Sequence, residues 1–178
     1  SVPKNFQSSV GHNNLDNYQS LRENANQDSN LYWESVANRI DWFDKWTTVN
    51  NTDYSKAHIE WFSNGKLNAS YNCIDRHIEN GLGEKTALIW QSNDPTISKN
   101  VTYNELLEKV SLFANALKRA GIKKGDRVCI YMQMIPEAIV SMLACARIGA
   151  VHSVVFGAFS SDALKNRIND SECKLLIT

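Results

Sequence analysis

The pattern of hydrophobic and polar positions changes near residue 84. Before it, apolar residues are sparse and largely aromatic, and four of the five tryptophans lie there: Trp33, Trp42, Trp46 and Trp61. Over residues 15–40 the apolar spacing predicts one or two short amphipathic helices. Their buried stripe is expected to consist of Tyr18, Leu21, Trp33, Val36 and Ile40. We expect these aromatic side chains to pack onto a larger body; a ligand site lined by aromatic residues is the alternative.

After residue 84, short apolar runs alternate with stretches of helical spacing. Strands are predicted near 86–90, 127–131, 151–155 and 174–177. Between the first two strands, apolar residues recur at helical spacing: Leu106, Leu107, Val110, Phe113, Ala114 and Leu117. Further helices are predicted over 136–148 and from Ser160 or Ser161 to about Asn169.

Residues with strong local preferences mark where these helices begin and end. Thr102 and Glu105 have the spacing of a capping box, in which each side chain bonds the other residue's backbone amide. Pro136 suits the first position of a helix. Gly121 and Gly149 suit the position just after a helix, where the backbone turns left-handed.

A strand–helix–strand–helix–strand order with short links predicts right-handed βαβ units and a parallel sheet. The fold class is therefore α/β, with residues 1–83 as an irregular helical segment and residues 84–178 as the α/β body. The chain stops directly after a strand, with no helix to cover it. We therefore expect it to be the N-terminal piece of a longer protein.

Charge and length exclude several classes of protein. Lys plus Arg and Asp plus Glu both number 19 in the 178 residues, so the formal net charge is zero. This argues against a general nucleic-acid binder and against a polybasic membrane anchor. No stretch is apolar for the roughly 18 residues of a membrane helix. The first five residues lack the apolar core of a signal peptide, so a cytoplasmic location is expected.

Metal and nucleophile motifs are missing. The four cysteines form no Cys-x-x-Cys pair, and Cys129 and Cys145 lie in apolar runs typical of a core. The histidines are scattered, so no metal site is predicted. His77 is interpreted as part of a structural polar network. Glu137 and Arg147 sit near opposite ends of one predicted helix, where each complements the helix dipole.

One loop is a candidate ligand site. Residues 156–161 (FGAFSS) follow a buried strand and open a helix. Ligands of open α/β sheets bind outside the carboxyl ends of the strands, and small residues let a ligand approach the backbone. A tight turn that merely needs glycine explains the same residues equally well.

Several runs resemble one family. The runs 123–132 (KKGDRVCIYM) and 136–138 (PEA) are similar to adenylate-forming enzymes of the acyl-CoA synthetase and luciferase superfamily. The run 142–157 (MLACARIGAVHSVVFG) resembles acetyl-CoA synthetases, the AMP-forming acetate–CoA ligases. The runs 61–68 (WFSNGKLN) and 72–77 (NCIDRH) resemble the N-terminal region of the same family. The likeness extends over nearly the whole chain from about Leu15.

This resemblance implies part of the large N-terminal domain of an adenylate-forming enzyme. The family makes acetyl-AMP from acetate and MgATP, and then transfers the acetyl group to CoA. Its ATP loop, acetate pocket and catalytic lysine would lie beyond Thr178, so the resemblance places no catalytic and no metal-binding residue in this chain. The piece alone is expected to be inactive and to bind no cofactor. Its partners would be acetate, ATP, Mg²⁺, CoA and the remainder of the same chain.

One element of the family's binding site is implied to be present. The family's Phe-Gly-Gly loop beside the adenine end of CoA matches Phe156, Gly157 and Ala158, with Ala158 replacing the second glycine. Two alternatives stay open. The first is that the chain is a stand-alone flavodoxin-like binding or signalling domain. The second is that it belongs to a propionyl- or acetoacetyl-CoA synthetase, because the residues that form the acyl pocket are not in this sequence.

Overall fold

A computed structural model describes residues 15–178. The start of the chain, on which the absence of a signal peptide was predicted, lies outside the described residues. The chain divides into two compact units between Lys66 and Leu67, earlier than the predicted border at residue 84. Residues 67–83 belong with the second unit, since Ile74 is buried in its core. The assignment of residues 1–83 and 84–178 as separate domains stays a prediction.

The first unit is built from short elements. Two helices, α1 (Leu15–Gln27) and α2 (Ser29–Ala37), occupy the region where helices were predicted. Asp28 caps α2 by accepting a hydrogen bond from the Leu31 amide at 2.9 Å. Strands β1 (Thr48–Asn50) and β2 (Trp61–Ser63) then pair antiparallel, with a 3₁₀ turn at Tyr54–Lys56 between them.

The predicted buried stripe of these helices is wrong. Tyr18, Trp33 and Ile40 are exposed, and Leu21 and Val36 are only half-buried. Ala37 is the buried residue of the described part of this unit. The reason is that the rings contact one another across the short elements. Their contacts include Trp42–Trp46 at 4.9 Å, Trp46–Phe62 at 5.1 Å and Trp33–Trp61 at 5.8 Å between centroids.

The second unit contains the α/β body. It begins with a π-helical turn, Tyr71–Asp75, and a short helix, α3 (Arg76–Glu79). The remaining elements, in chain order, are β3 (Thr86–Gln91), β4 (Ser98–Thr102), α4 (Tyr103–Arg119), β5 (Arg127–Met132), α5 (Pro136–Arg147), β6 (Val151–Phe156), α6 (Ser161–Asp170) and β7 (Leu175–Ile177).

Three of the four predicted strands form the expected parallel sheet, in the order β6-β5-β7. In its register Ile130 of β5 lies between Val154 of β6 and Ile177 of β7. The parallel βαβ fold class is thereby confirmed.

The prediction of a parallel strand at 86–90 is wrong. The strand exists as β3, but it pairs antiparallel with β4 in a separate two-stranded sheet. The link of residues 92–97 is too short for the crossover that parallel strands need. Asp94 tightens this link by accepting a hydrogen bond from the Thr96 amide at 2.8 Å. Strand β4 was not predicted, because Ser98, Lys99 and Asn100 are all polar.

The helix boundaries follow the predicted local signals. Thr102 and Glu105 form both hydrogen bonds of the capping box at the start of α4. Gly121 and Gly149 have φ angles of +87° and +74°, as a residue after a helix requires. Ser160, rather than Ser161, caps α6 by accepting from the Ala163 amide at 3.3 Å.

The core lies where α4 and α5 meet the sheet. Val110 of α4, Ala144 of α5 and Val128 of β5 are fully buried there. Cys129 and Cys145 are buried, as predicted. Arg147 does more than complement the dipole of α5, because its guanidinium binds both carboxylate oxygens of Asp75, at 2.7 and 2.8 Å.

Candidate functional site

The strand order creates a crevice at one edge of the parallel sheet. The chain leaves β5 for β6 on one side and then returns across β5 to β7 on the other. Because such crossovers are right-handed, α5 and α6 belong on opposite faces of the sheet. In open α/β sheets a reversal of this kind opens a crevice outside the carboxyl ends of the strands. Here the crevice is expected beside the ends of β5 and β6.

A cleft of about 270 Å³ lies at this position. Its lining comes from the ends of β5 and β7 and from the segments that follow β5 and β6: Tyr131, Met132, Gln133, Ile135, Gly157 and Thr178. No charged side chain is in this lining. The cleft therefore offers backbone groups, uncharged polar side chains (Tyr131, Gln133 and Thr178) and apolar surface, which suits binding rather than acid–base chemistry.

The three predicted site residues differ in where they lie. Gly157 lines the cleft and is half-buried. Phe156, the last residue of β6, leaves 55% of its surface exposed, and Ala158 is also exposed. The structure thus brings one of the three into the cleft and places the other two on the surface of the same turn.

Gly157 is crowded by the neighbouring strand end. A Cβ atom added there would lie 3.3 Å from the carbonyl oxygen of Met132 and 3.4 Å from its carbonyl carbon. Its φ angle is outside the left-handed region, so backbone conformation does not require glycine. The close approach of two backbone segments at the switch point is what favours a residue without a side chain.

The hydroxyl of Tyr131 holds the turn after β6. It donates to the carbonyl oxygens of Gly157 at 3.0 Å and of Phe159 at 2.9 Å. The Arg167 guanidinium of α6 lies 5.0 Å from the centre of the Phe159 ring, within cation–π range. The role of Tyr131 was not predicted from the sequence, because in an apolar run it resembles any other strand residue.

The segment that follows β5 is also held by a hydrogen bond from the β3–β4 hairpin. The indole Nε1 of Trp90 donates to the Met134 carbonyl at 2.9 Å, in the segment between β5 and α5. An apolar cavity of about 330 Å³ lies beside this bond, and Ile135 lines both this cavity and the cleft. The sequence offered no signal for this contact, because it joins residues 44 positions apart.

Two ionisable groups with shifted pKa values, Asp126 and Cys145, lie outside the lining of the cleft. At the amino end of β5, the Lys174 ammonium and then the Lys123 amide lower the pKa of Asp126, which accepts hydrogen bonds from both. Burial raises the pKa of the Cys145 thiol to about 11. Both groups have structural surroundings, and neither indicates a nucleophile.

His77, another side chain considered from the sequence, packs against an aromatic ring. The His77 ring packs 4.9 Å from that of Tyr103. Within residues 15–178, no group of three or more His, Cys, Asp or Glu side chains is arranged to hold a metal ion. None of the helices described over that range is long and apolar enough to span a membrane.

Two family models match the chain in succession. Residues 18–73 match the model described as the acetyl-coenzyme A synthetase N-terminus. Residues 75–178, more than half of the chain, match the model described as AMP-binding enzyme. This chain belongs to the AMP-binding enzyme family. The resemblance stated from residues 123–157 is confirmed.

Curated relatives of this member of the AMP-binding enzyme family agree with both models. Acetyl-coenzyme A synthetase of Magnetococcus marinus is 55% identical over 93% of this chain and 26% of its own length. That of Halorhodospira halophila is 48% identical over 99% of this chain and 27% of its own length. Acetyl-coenzyme A synthetase 2 of Pseudomonas putida is 50% identical over 92% and 25%. The chain thus spans about a quarter of the length of the curated relatives it matches.

Proposed function

We propose that this chain is the N-terminal part of an acetate–CoA ligase. The complete enzyme would form acetyl-CoA from acetate, MgATP and CoA through an acetyl-AMP intermediate. The observation that carries the proposal is the succession of the two matches, in which an acetyl-coenzyme A synthetase N-terminus over residues 18–73 is followed by an AMP-binding enzyme over residues 75–178. The relatives named above, each an acetyl-coenzyme A synthetase, support the same assignment.

The turn of Phe156, Gly157 and Ala158 is proposed to lie beside the adenosine end of CoA. Its position outside the carboxyl ends of β5 and β6 supports this, since ligands of such sheets bind there. Gly157 leaves the backbone open to a close approach, and Phe156 presents an exposed ring at the same turn. The methyl group of Ala158 is exposed and would face the same ligand from the surface of the turn.

The described residues supply binding rather than catalysis in this proposal. The cleft has no charged lining, and the described part of the chain has no group of residues that fits Mg²⁺. The sites for ATP, Mg²⁺ and acetate are assigned to the remainder of the complete enzyme because the family resemblance implies that they lie beyond Thr178. A cytoplasmic location, and residues 84–178 as the first α/β subdomain of the AMP-binding domain, belong to the same proposal.

The experiment separates the two half-reactions of the complete enzyme. Acetate-dependent exchange of pyrophosphate into ATP reports adenylation, and acetyl-CoA formation reports the second step. We expect both from the complete protein, with acetate preferred over propionate, and no exchange from residues 1–178 alone. A complete protein without acetate-dependent exchange would overturn the proposal. A preference for propionate would keep the reaction and change the acyl group.

A further inference from the structure

A single side-chain hydroxyl, that of Tyr131, binds two backbone carbonyls of the turn after β6. The Tyr131 hydroxyl lies 3.0 Å from the Gly157 carbonyl oxygen and 2.9 Å from that of Phe159. A phenol has one O–H to donate, so the two carbonyls share it. Tyr131 is half-buried near the end of β5 and lines the cleft itself. The contact therefore links a lining residue of the cleft directly to the turn of Phe156, Gly157 and Ala158 that is proposed to bind CoA.

This bond orients two peptide planes. In a trans peptide the carbonyl and the following amide point in opposite directions. With the Gly157 and Phe159 carbonyls directed at Tyr131, the amides of Ala158 and Ser160 are directed away from it. Ala158 and Ser160 are both exposed residues.

The other bonds of the turn act at its ends. The Phe159 amide donates to the Phe156 carbonyl at 3.0 Å, which closes the turn. Ser160 caps α6, and Arg167 lies over the Phe159 ring. These contacts join the turn to itself and to α6, whereas the Tyr131 hydroxyl joins it to the central strand.

We infer that Tyr131 is a positioning residue for the CoA step, a role that rests on the proposed function. Its hydroxyl sets the backbone of residues 157–159 in the form that accepts CoA, without touching the reacting atoms. In the proposed function this turn serves the CoA step, so adenylation of acetate should not depend on it. The loss of the hydroxyl should therefore act on the second half-reaction alone.

Tyr131→Phe in the complete enzyme tests the inference, since it removes the hydroxyl and keeps the ring. We expect the apparent KM for CoA to rise about three- to tenfold, the effect of one ordinary hydrogen bond. The rate of acetate-dependent pyrophosphate exchange should stay within about twofold of wild type, because the adenylation step loses no hydrogen bond of comparable free energy. Amide hydrogen exchange over residues 157–160 should become severalfold faster, a change that requires no catalysis to observe.

Tyr71→Phe is the matched control. It also removes a phenol hydroxyl from the second unit, one that donates to the Glu79 carboxylate at 2.6 Å. CoA kinetics and exchange over 157–160 should not change in this variant.

The outcomes separate this inference from the proposed function. An active ligase whose Tyr131→Phe variant keeps its CoA KM and its exchange over 157–160 would overturn the inference alone. Equal losses in both half-reactions would overturn it as well, because the hydroxyl would then serve the fold in general. A wild-type protein without acetate-dependent exchange would overturn the proposed function, and the CoA role of Tyr131 with it.

Discussion

The two compact units organise their apolar residues in different ways. In the described part of the first unit, Ala37 is the buried residue, and the tryptophans contact each other near the surface. In the second unit, α4, α5 and β5 enclose a core of aliphatic side chains with little or no exposure. The comparison shows that helical spacing predicts burial only where a second apolar face lies opposite. In the first unit, ring-to-ring contacts take the place of such a face.

The largest expected effect on stability comes from replacing a buried isoleucine by alanine in the second unit, and the same replacement of an exposed isoleucine in the first unit is its comparison. Ile74→Ala empties a fully buried site in the second unit and should lower the free energy of unfolding by about 2–5 kcal/mol. Ile59→Ala, at a position 66% exposed in the first unit, should change it by less than about 0.5 kcal/mol. Denaturant unfolding of both variants of the complete protein measures this. Equal losses would contradict the comparison.

A second contrast concerns ion pairs. Arg147→Met removes the bidentate ion pair with Asp75 and leaves this half-buried carboxylate without it. The expected loss of stability is about 1–3 kcal/mol. Lys66→Met breaks the exposed pair with Asp44 in the first unit and should lower stability less than Arg147→Met does. Thermal unfolding at low and high salt distinguishes them, because salt screens the exposed pair more strongly. A larger cost for Lys66→Met would reverse the contrast.

The smallest effect is a dependence on pH. The pKa of Asp126 is lowered in the folded protein, chiefly by Lys174. Its contribution to stability is therefore fully present above the ordinary aspartate pKa of about 3.9 and is lost as the pH falls through the lower, folded value. Asp126→Asn should lower the Tm at neutral pH and flatten its decline below about pH 4.

Asp53 in the first unit is the comparison for that experiment. Lys56 lowers the pKa of its carboxyl in the same direction, but this pair is exposed. Asp53→Asn should change the acid limb of the Tm curve less than Asp126→Asn does. An unchanged acid limb in the Asp126 variant would show that this carboxylate is not linked to folding.

The sequence predicted the parts of the fold that have local causes. The capping box at Thr102, the glycines after α4 and α5, and the strands β5, β6 and β7 all follow from propensity and spacing over a few residues. Strand β4 was missed because its side chains are polar and its pairing with β3 depends on the backbone. The packing of Trp33 was wrongly predicted because spacing does not report which surface lies opposite.

For the candidate site too, the sequence predicted the local feature and missed the long-range contacts. The loop 156–161 was identified from its place between a strand predicted to be buried and a helix, and Gly157 within it from the family resemblance. The structure leaves most of β6 exposed, and it adds the closeness of the Met132 carbonyl to Gly157. Tyr131 and Trp90 were missed, because each holds a backbone carbonyl far away in the chain. Hydrogen bonds from a side chain to a distant backbone group leave no pattern in a single sequence.

The central claim is that the turn at 156–158 serves CoA in an acetate–CoA ligase, and Gly157→Val tests it most directly. The valine would meet the Met132 carbonyl and narrow the cleft. Two measurements on the complete enzyme decide the matter: the apparent KM for CoA and acetate-dependent pyrophosphate exchange. We predict that the KM rises at least about tenfold, equivalent to about 1.4 kcal/mol, while exchange stays close to wild type. A stably folded variant with unchanged CoA kinetics would contradict the claim.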